Sequence, residues 1–232
     1  RLLAGLLRPT SGEVRADGTD PSSREARGRV AIVFQNPETQ FFAETVMADV
    51  AFGPKNLGAP DPDAAAAAAL GTVGLDPGVF GARSPFSLSG GEARRVAIAG
   101  ALAVGGRYVL LDEPTAGLDA AGRRDVVSAV VAERGRAGIV VVTHDAEDFL
   151  PHADRVLALS AGAPAFLGTL TGLFERHAAY EAAGLRLPEL VRLQLAARGR
   201  GLPLARIEFD PVAAADALLG ARSALGRGEG TA

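Results

Sequence analysis

The sequence predicts an α/β fold built on a parallel sheet with helices on both faces. Apolar, β-branched-rich runs recur at 108–111, 139–143 and 155–159, and a helical pattern at 123–134 separates the first two. A further apolar run at 30–34 stands ahead of a long helical stretch. Strands that alternate with helices imply a sheet buried on both faces, the usual setting of parallel strands.

Taken in order, residues 1–7 carry the apolar spacing of an amphipathic helix and are stopped by Pro9 and the Thr10-Ser11-Gly12 turn. Residues 13–16 alternate like a short edge strand that ends at Asp17-Gly18. After the strand at 30–34, residues 39–106 hold helical patches, the alanine tract 64–70 and several Pro/Gly breaks, which predicts a mostly helical insertion. The strands at 108–111, 139–143 and 155–159 belong to the parallel sheet, and 163–167 could add a last strand. From Thr171 onward the pattern is helix and turn, ending in a Gly-rich polar tail at 226–232 that is expected to fray.

Composition excludes several functions. The chain has 232 residues, 48% hydrophobic and 22% charged, enough for one large domain or one domain plus an appendage. A net charge of -3 argues against a broad basic face for nucleic acid. The absence of cysteine removes disulfides, thiolate metal sites and cysteine nucleophiles. Its longest apolar runs fall far short of the roughly 20 residues that span a bilayer.

The run Val109-Leu110-Leu111-Asp112-Glu113-Pro114 is an apolar strand that delivers two carboxylates to its C-terminal end, where open parallel sheets bind ligands. Asp112 there could hold magnesium and Glu113 could orient an attacking water, or the run could simply be a buried strand closing in an Asp-Glu-Pro turn. Leu88-Ser89-Gly90-Gly91-Glu92 opens a helical pattern over 93–103. Its hydroxyl and bare backbone N–H groups suit an anion at a helix N-terminus, and equally suit a capping box between Ser89 and Glu92. Val140-Val141-Val142-Thr143-His144-Asp145 places a histidine at another strand end, and Gln35 closes the strand at 30–34. Taken singly, His144 could be structural and Gln35 a turn residue.

Five such signals stand in one order at the ends of successive strands. In Phe34-Gln35-Asn36-Pro37, Leu88 to Glu92, the acidic run ending at Glu113, Ala116-Gly117-Leu118-Asp119 and His144, the chain resembles the ATP-binding subunits of ABC transporters across nearly its whole length. The longer text Phe34-Gln35-Asn36-Pro37-Glu38-Thr39-Gln40-Phe41-Phe42 and Thr45-Val46-Met47-Ala48-Asp49-Val50-Ala51-Phe52-Gly53-Pro54-Lys55-Asn56-Leu57-Gly58 resembles the energy-coupling-factor type, which includes cobalt and nickel import ATPases.

The resemblance implies a P-loop NTPase-like parallel-sheet core over 1–38 and 106–168, a helical signature subdomain over 39–105 and a small C-terminal region over 169–232. It implies ATP and Mg2+ as cofactors, with Asp112 and Gln35 on the metal, Glu113 orienting water and His144 at the γ-phosphate. Ser89, Gly90, Gly91 and Glu92 would face the nucleotide held by a second ATP-binding subunit, and Asp119 would cross the dimer interface. The further partners would be a membrane coupling subunit and a substrate-binding membrane subunit, with no nucleic acid. The protein would sit peripherally on the cytoplasmic face of the cell membrane and hydrolyse ATP to import a metal ion or vitamin. Two other readings are a soluble ABC ATPase acting on nucleic acid or ribosomes, and a non-catalytic partner that donates only its signature turn. The family's G-x-x-x-x-G-K-[ST] loop does not occur in these residues, whose one lysine is Lys55. The resemblance places that loop just before Arg1, so truncation is expected rather than decay.

Overall fold

The computed structural model describes residues 1–182 and 184–228. These fall into two compact units, Arg1–His144 and Asp145–Ala232. The polar end expected over 226–232 lies, past residue 228, outside the described residues. Among the described residues no helix is long and apolar enough to cross a membrane.

In the first unit, strands β1(Val30–Val33), β2(Tyr108–Asp112) and β3(Gly138–Val142) form a parallel sheet in the order β1-β2-β3. The middle strand is the most buried, and Val109, Leu110 and Leu111 are all covered, so both of its faces are packed. Val33 lies opposite Leu111, and Asp112 opposite Val142. That register brings the three strands to their C-terminal ends together. Cover is incomplete at the edge strand β3, where Val140 and Val142 remain exposed.

Residues 39–105 carry helices α1(Val46–Asn56), α2(Pro62–Thr72), α3(Pro77–Phe80) and α4(Gly90–Ala103), with α1, α2 and α4 packed on one another. Each start is written in the local sequence. Thr45 accepts from the Ala48 N–H to cap α1, and Asp61 accepts from the Ala64 N–H ahead of Pro62, which suits the first helical position. The alanine tract supplies the body of α2 and buries Ala66, Ala69 and Leu70. Helix α5(Ala120–Ala132) crosses from β2 to β3, as a parallel connection requires.

Two sequence expectations near the N-terminus change. Residues 1–7 form turns rather than a helix: Gly5 adopts φ 69°, and Leu2, Leu3, Leu6 and Leu7 stay exposed. With no apolar face buried, a seven-residue helix does not repay its nucleation. The strand expected at 13–16 shrinks to one bridge, Ala16 to Thr19, around the Asp17-Gly18 turn.

The second unit corrects the expected sheet. Strand β4(Val156–Ser160) does not extend the parallel sheet but pairs antiparallel with β5(Ala163–Gly168). Only Ala161 and Gly162 separate them, at φ 49° and 78°, and a two-residue connection can join only antiparallel neighbours. Helices α6(Leu170–Glu175), α7(His177–Ala182), α8(Glu189–Gly199) and α9(Pro211–Gly228) follow. Ala158, Phe166, Leu173, Tyr180, Leu187, Val191 and Leu195 make this unit's core. The fully buried Gln194 belongs there because its amide accepts from the Glu208 N–H at 2.8 Å and donates to the Glu208 carbonyl at 2.7 Å.

Candidate active site

The acidic end of β2 is built on a strained backbone. Glu113 adopts φ 50°, one of three non-glycine residues with positive φ among those described. A left-handed L-residue costs about 1–2 kcal/mol, and such strain gathers at functional sites. Its N–H still donates to the Val142 carbonyl at 2.8 Å, so the sheet continues one residue past Asp112 while the chain turns away.

The Glu113 carboxylate is fixed on both oxygens. Oε2 accepts from Thr143 Oγ1 at 3.0 Å, while Oε1 accepts from the His144 N–H at 3.0 Å and meets His144 Nδ1 at 2.7 Å. Burial pushes the Glu113 carboxyl up, but the hydrogen bonds from His144 and Thr143 outweigh it and hold the group below the ordinary glutamate range. It is therefore ionised at neutral pH and can orient a donor such as water. The His144 side chain is 81% exposed.

Gln35 is exposed two residues past Val33. Because Val33 and Leu111 are register partners, Gln35 and Asp112 leave neighbouring strands at the same sheet end. Their donors are an amide oxygen and a carboxylate. The loop after Gln35 is clipped back by Gln40, whose Oε1 accepts from the Phe34 N–H at 2.9 Å and whose Nε2 donates to the Ile32 carbonyl at 3.3 Å. Gln40 thus satisfies two backbone groups on the outer edge of β1.

At the start of α4 the capping box anticipated as one alternative is present. The Glu92 N–H donates to Ser89 Oγ at 3.3 Å, and Glu92 Oε2 accepts from the Ser89 N–H at 2.8 Å. The Ser89 backbone N–H, and then its side chain, hold the Glu92 carboxyl below its ordinary range. The box does not explain the two glycines. A Cβ on Gly90 would meet nothing within 4 Å, one on Gly91 would meet only Leu118 Cδ2 at 3.8 Å, and neither residue has a positive φ. Nothing within the chain demands glycine there, which is the condition for close approach by something outside it. Asp119 caps α5, accepting from the Gly122 N–H at 2.8 Å.

The structure thus gathers Glu113 and His144 in one cluster with Thr143, joins Ser89 to Glu92 in another, and places Gln35 and Asp112 at the C-terminal ends of neighbouring strands without a hydrogen bond between them. Sequence reasoning missed Thr143, Gln40 and Arg94 as functional side chains. Arg94 carried a signal: it shares helical spacing with Ile98 and Ala101, and all three are buried on α4. Its Nη1 donates to the Glu113 carbonyl at 2.7 Å and its Nη2 to the Ala116 carbonyl at 3.2 Å.

The ABC transporter family model matches residues 1–116. The energy-coupling factor transporter ATP-binding protein EcfA2 of Symbiobacterium thermophilum is 48% identical over 222 residues, covering 91% of this chain and 76% of that protein. The protein of the same name from Bacillus subtilis is 40% identical over 203 residues, covering 83% and 73%. Among solved structures, cbiO1 from Clostridium perfringens, described as part of the ABC transporter complex cbiONQ, superposes with a TM-score of 0.66. It is 30% identical and covers 83% of this chain and 79% of its own. The ATP-binding cassette MJ0796, a dimer in a post-hydrolysis state bound to ADP and Pi, gives 0.64 at 26% identity, covering 73% and 78%.

Proposed function

This chain belongs to the ATP-binding subunits of ABC transporters, of the energy-coupling-factor type, and from that premise we propose how its residues serve ATP hydrolysis that drives import of a metal ion or a vitamin. Glu113 orients the attacking water. Its carboxylate is ionised, anchored on both oxygens and carried on a left-handed backbone at the C-terminal end of β2, and this anchoring is the observation that carries the reading. Phosphoryl transfer asks mainly for positioning and charge stabilisation, so a fixed carboxylate beside the reacting phosphate suffices as the protein's part.

Asp112 and Gln35 fit a magnesium ion. Among the described residues no three His, Cys, Asp or Glu side chains form a metal-holding group. Magnesium characteristically takes only one or two protein oxygens and completes its shell with water and phosphate, which suits an oxygen-only pair at neighbouring strand ends. When bound, the ion supplies neutralisation of charge on the phosphate oxygens. His144, an exposed side chain at the end of β3 that meets Glu113, contacts the γ-phosphate. With Nδ1–H given to the Glu113 carboxylate, Nε2 can donate to a phosphate oxygen only when the ring carries both protons.

The subunit works as half of a pair. The MJ0796 relative is described as a dimer holding ADP and Pi. In this chain Ser89, Gly90 and Gly91 present a hydroxyl and bare backbone N–H groups at the N-terminus of α4, with space above both glycines. They serve the nucleotide of the second ATP-binding subunit, with Glu92 locking the turn and Asp119 at the shared interface. The pair docks on a membrane coupling subunit at the cytoplasmic face of the membrane. Residues 39–105 carry its closure to that subunit, and a separate membrane subunit binds the cargo.

The test is Glu113→Gln in the assembled dimer of the protein completed with its G-x-x-x-x-G-K-[ST] loop. ATP binding is expected to persist, hydrolysis to be nearly abolished, and a closed ATP-bound dimer to accumulate on gel filtration. Turnover equal to wild type would overturn the role of Glu113.

A further inference from the structure

Arg94 is the least expected side chain in the first unit: a guanidinium only 7% exposed, on the apolar face of α4. Burying a cation costs several kcal/mol unless hydrogen bonds and charge repay it. Here the partners are main-chain carbonyls. One is the carbonyl of Glu113, the residue whose φ of 50° turns that oxygen out of the β2 ladder. The other is the carbonyl of Ala116, at the start of the loop that leads to Asp119. The Ala116 N–H also donates to the Glu113 carbonyl at 3.2 Å, so the turn and the guanidinium close on the same oxygen. Arg94 Nε is buried without a partner, so the side chain is not placed to satisfy itself. Burial pushes the Arg94 guanidinium below its ordinary value, and the nearby carboxylates of Glu38 and Glu113 offset only part of that.

We propose that Arg94 is a positioning residue for hydrolysis, holding the left-handed Glu113 backbone and the start of the 116–119 loop against the helix that carries Ser89. The proposal rests on the role assigned above to Glu113. Helix α4 is the rigid element in this link: five residues at about 1.5 Å each separate Ser89 from Arg94, roughly 7.5 Å along its axis. Whatever seats the Ser89 turn against the partner's nucleotide also sets where Glu113 and Ala116 are held. One guanidinium thus joins the part of this chain that serves the partner's site to the part that serves its own.

The experiment compares Arg94→Lys, which keeps charge and one donor direction, with Arg94→Met, which keeps length alone, each beside Glu113→Gln. Amide hydrogen exchange is read on this chain without nucleotide, and steady-state hydrolysis on the assembled dimer. Exchange is expected to quicken at Glu113 and Ala116 in both Arg94 variants while the α5 amides keep their protection. Turnover is expected to fall by about tenfold or more, the loss of one charge-assisted hydrogen bond, with KM for ATP within about twofold of wild type. The lysine variant should keep the wild-type Tm and recover part of the methionine variant's loss in kcat. Unchanged exchange at Glu113 and Ala116, or unchanged kcat in the well-folded lysine variant, overturns the proposal. If Glu113→Gln also keeps full turnover, the role of Glu113 itself has failed. If Glu113→Gln is inactive while Arg94→Lys turns over normally, only the role of Arg94 is lost.

Discussion

His144 Nδ1 lies 2.7 Å from Oε1 of Glu113, and the His144 backbone N–H reaches the same oxygen at 3.0 Å. One residue therefore supplies two donors to one carboxylate oxygen, the first fixed by the backbone after β3 and the second dependent on the ring. The neighbouring Thr143 hydroxyl holds the other oxygen at 3.0 Å. Hydrogen bonds to a charged acceptor contribute about 1.5–3 kcal/mol each, against about 1 kcal/mol for neutral pairs. Three together orient the carboxylate plane more narrowly than any one could.

From this follows a ranked set of activities. His144→Ala deletes the ring donor and the group proposed to meet the γ-phosphate but keeps the backbone N–H, so kcat should fall about 100-fold, the usual effect of losing one donor to a developing charge. Thr143→Val deletes one orienting hydroxyl with little change of shape, and should cost about tenfold in kcat. Thr143→Val should leave KM for ATP near wild type, because its part is to orient Glu113 rather than to hold the nucleotide. Steady-state hydrolysis by the assembled dimer measures the order. A Thr143→Val loss larger than that of His144→Ala would mean that orientation of Glu113 outweighs contact with phosphate.

How much of this was legible follows from where each signal resides. The Tyr108–Asp112 strand and its acids were readable because an unbroken apolar run ending in carboxylates describes both a buried strand and its polar end. The Ser89 cap was readable because its partner lies three residues away. The direction of Val156–Ser160 was not, since a five-residue apolar run looks the same in a parallel sheet and in a hairpin. The two-residue spacing through Ala161 and Gly162 was the available clue. Arg94 and Gln40 were invisible as positioning groups because their partners are backbone atoms, and backbone atoms carry no residue identity. A cation at helical spacing with Ile98 and Ala101 could have raised the question without answering it.

The capping box at α4 makes a prediction for stability that is separate from catalysis. Ser89→Ala leaves the Glu92 N–H without its acceptor and should cost about 1 kcal/mol in urea denaturation. Glu92→Gln can still accept from the Ser89 N–H, so its cost at neutral pH should be smaller. The pH dependence separates them. The folded state lowers the Glu92 carboxyl, so its stabilisation is fully present above the unfolded value of about 4.3 and is lost as pH falls through the lower folded value. Wild type should therefore lose stability relative to Glu92→Gln on acidification below about pH 4.3. Parallel stability curves for the two proteins would show that the Ser89 N–H contact is not formed in solution.

The hairpin turn supplies a test of the second unit alone. Ala161 occupies φ 49°, a conformation that burdens its Cβ by about 1–2 kcal/mol and that Asn adopts more readily because its side chain can bond locally. Ala161→Asn should raise stability by up to about 1 kcal/mol, seen as an increase in Tm. Ala161→Gly relieves the same contact but enlarges the freedom of the unfolded chain by about 0.5–1 kcal/mol, so the two effects should nearly cancel. Ala161→Val adds a branched side chain where φ is positive and should destabilise the protein by more than either substitution gains. The discriminating result is the order Asn above Gly above Val. If Asn and Val gave the same Tm, residue 161 would not be left-handed in solution, and the two-residue connection that turns Val156–Ser160 antiparallel to Ala163–Gly168 would have to be drawn differently.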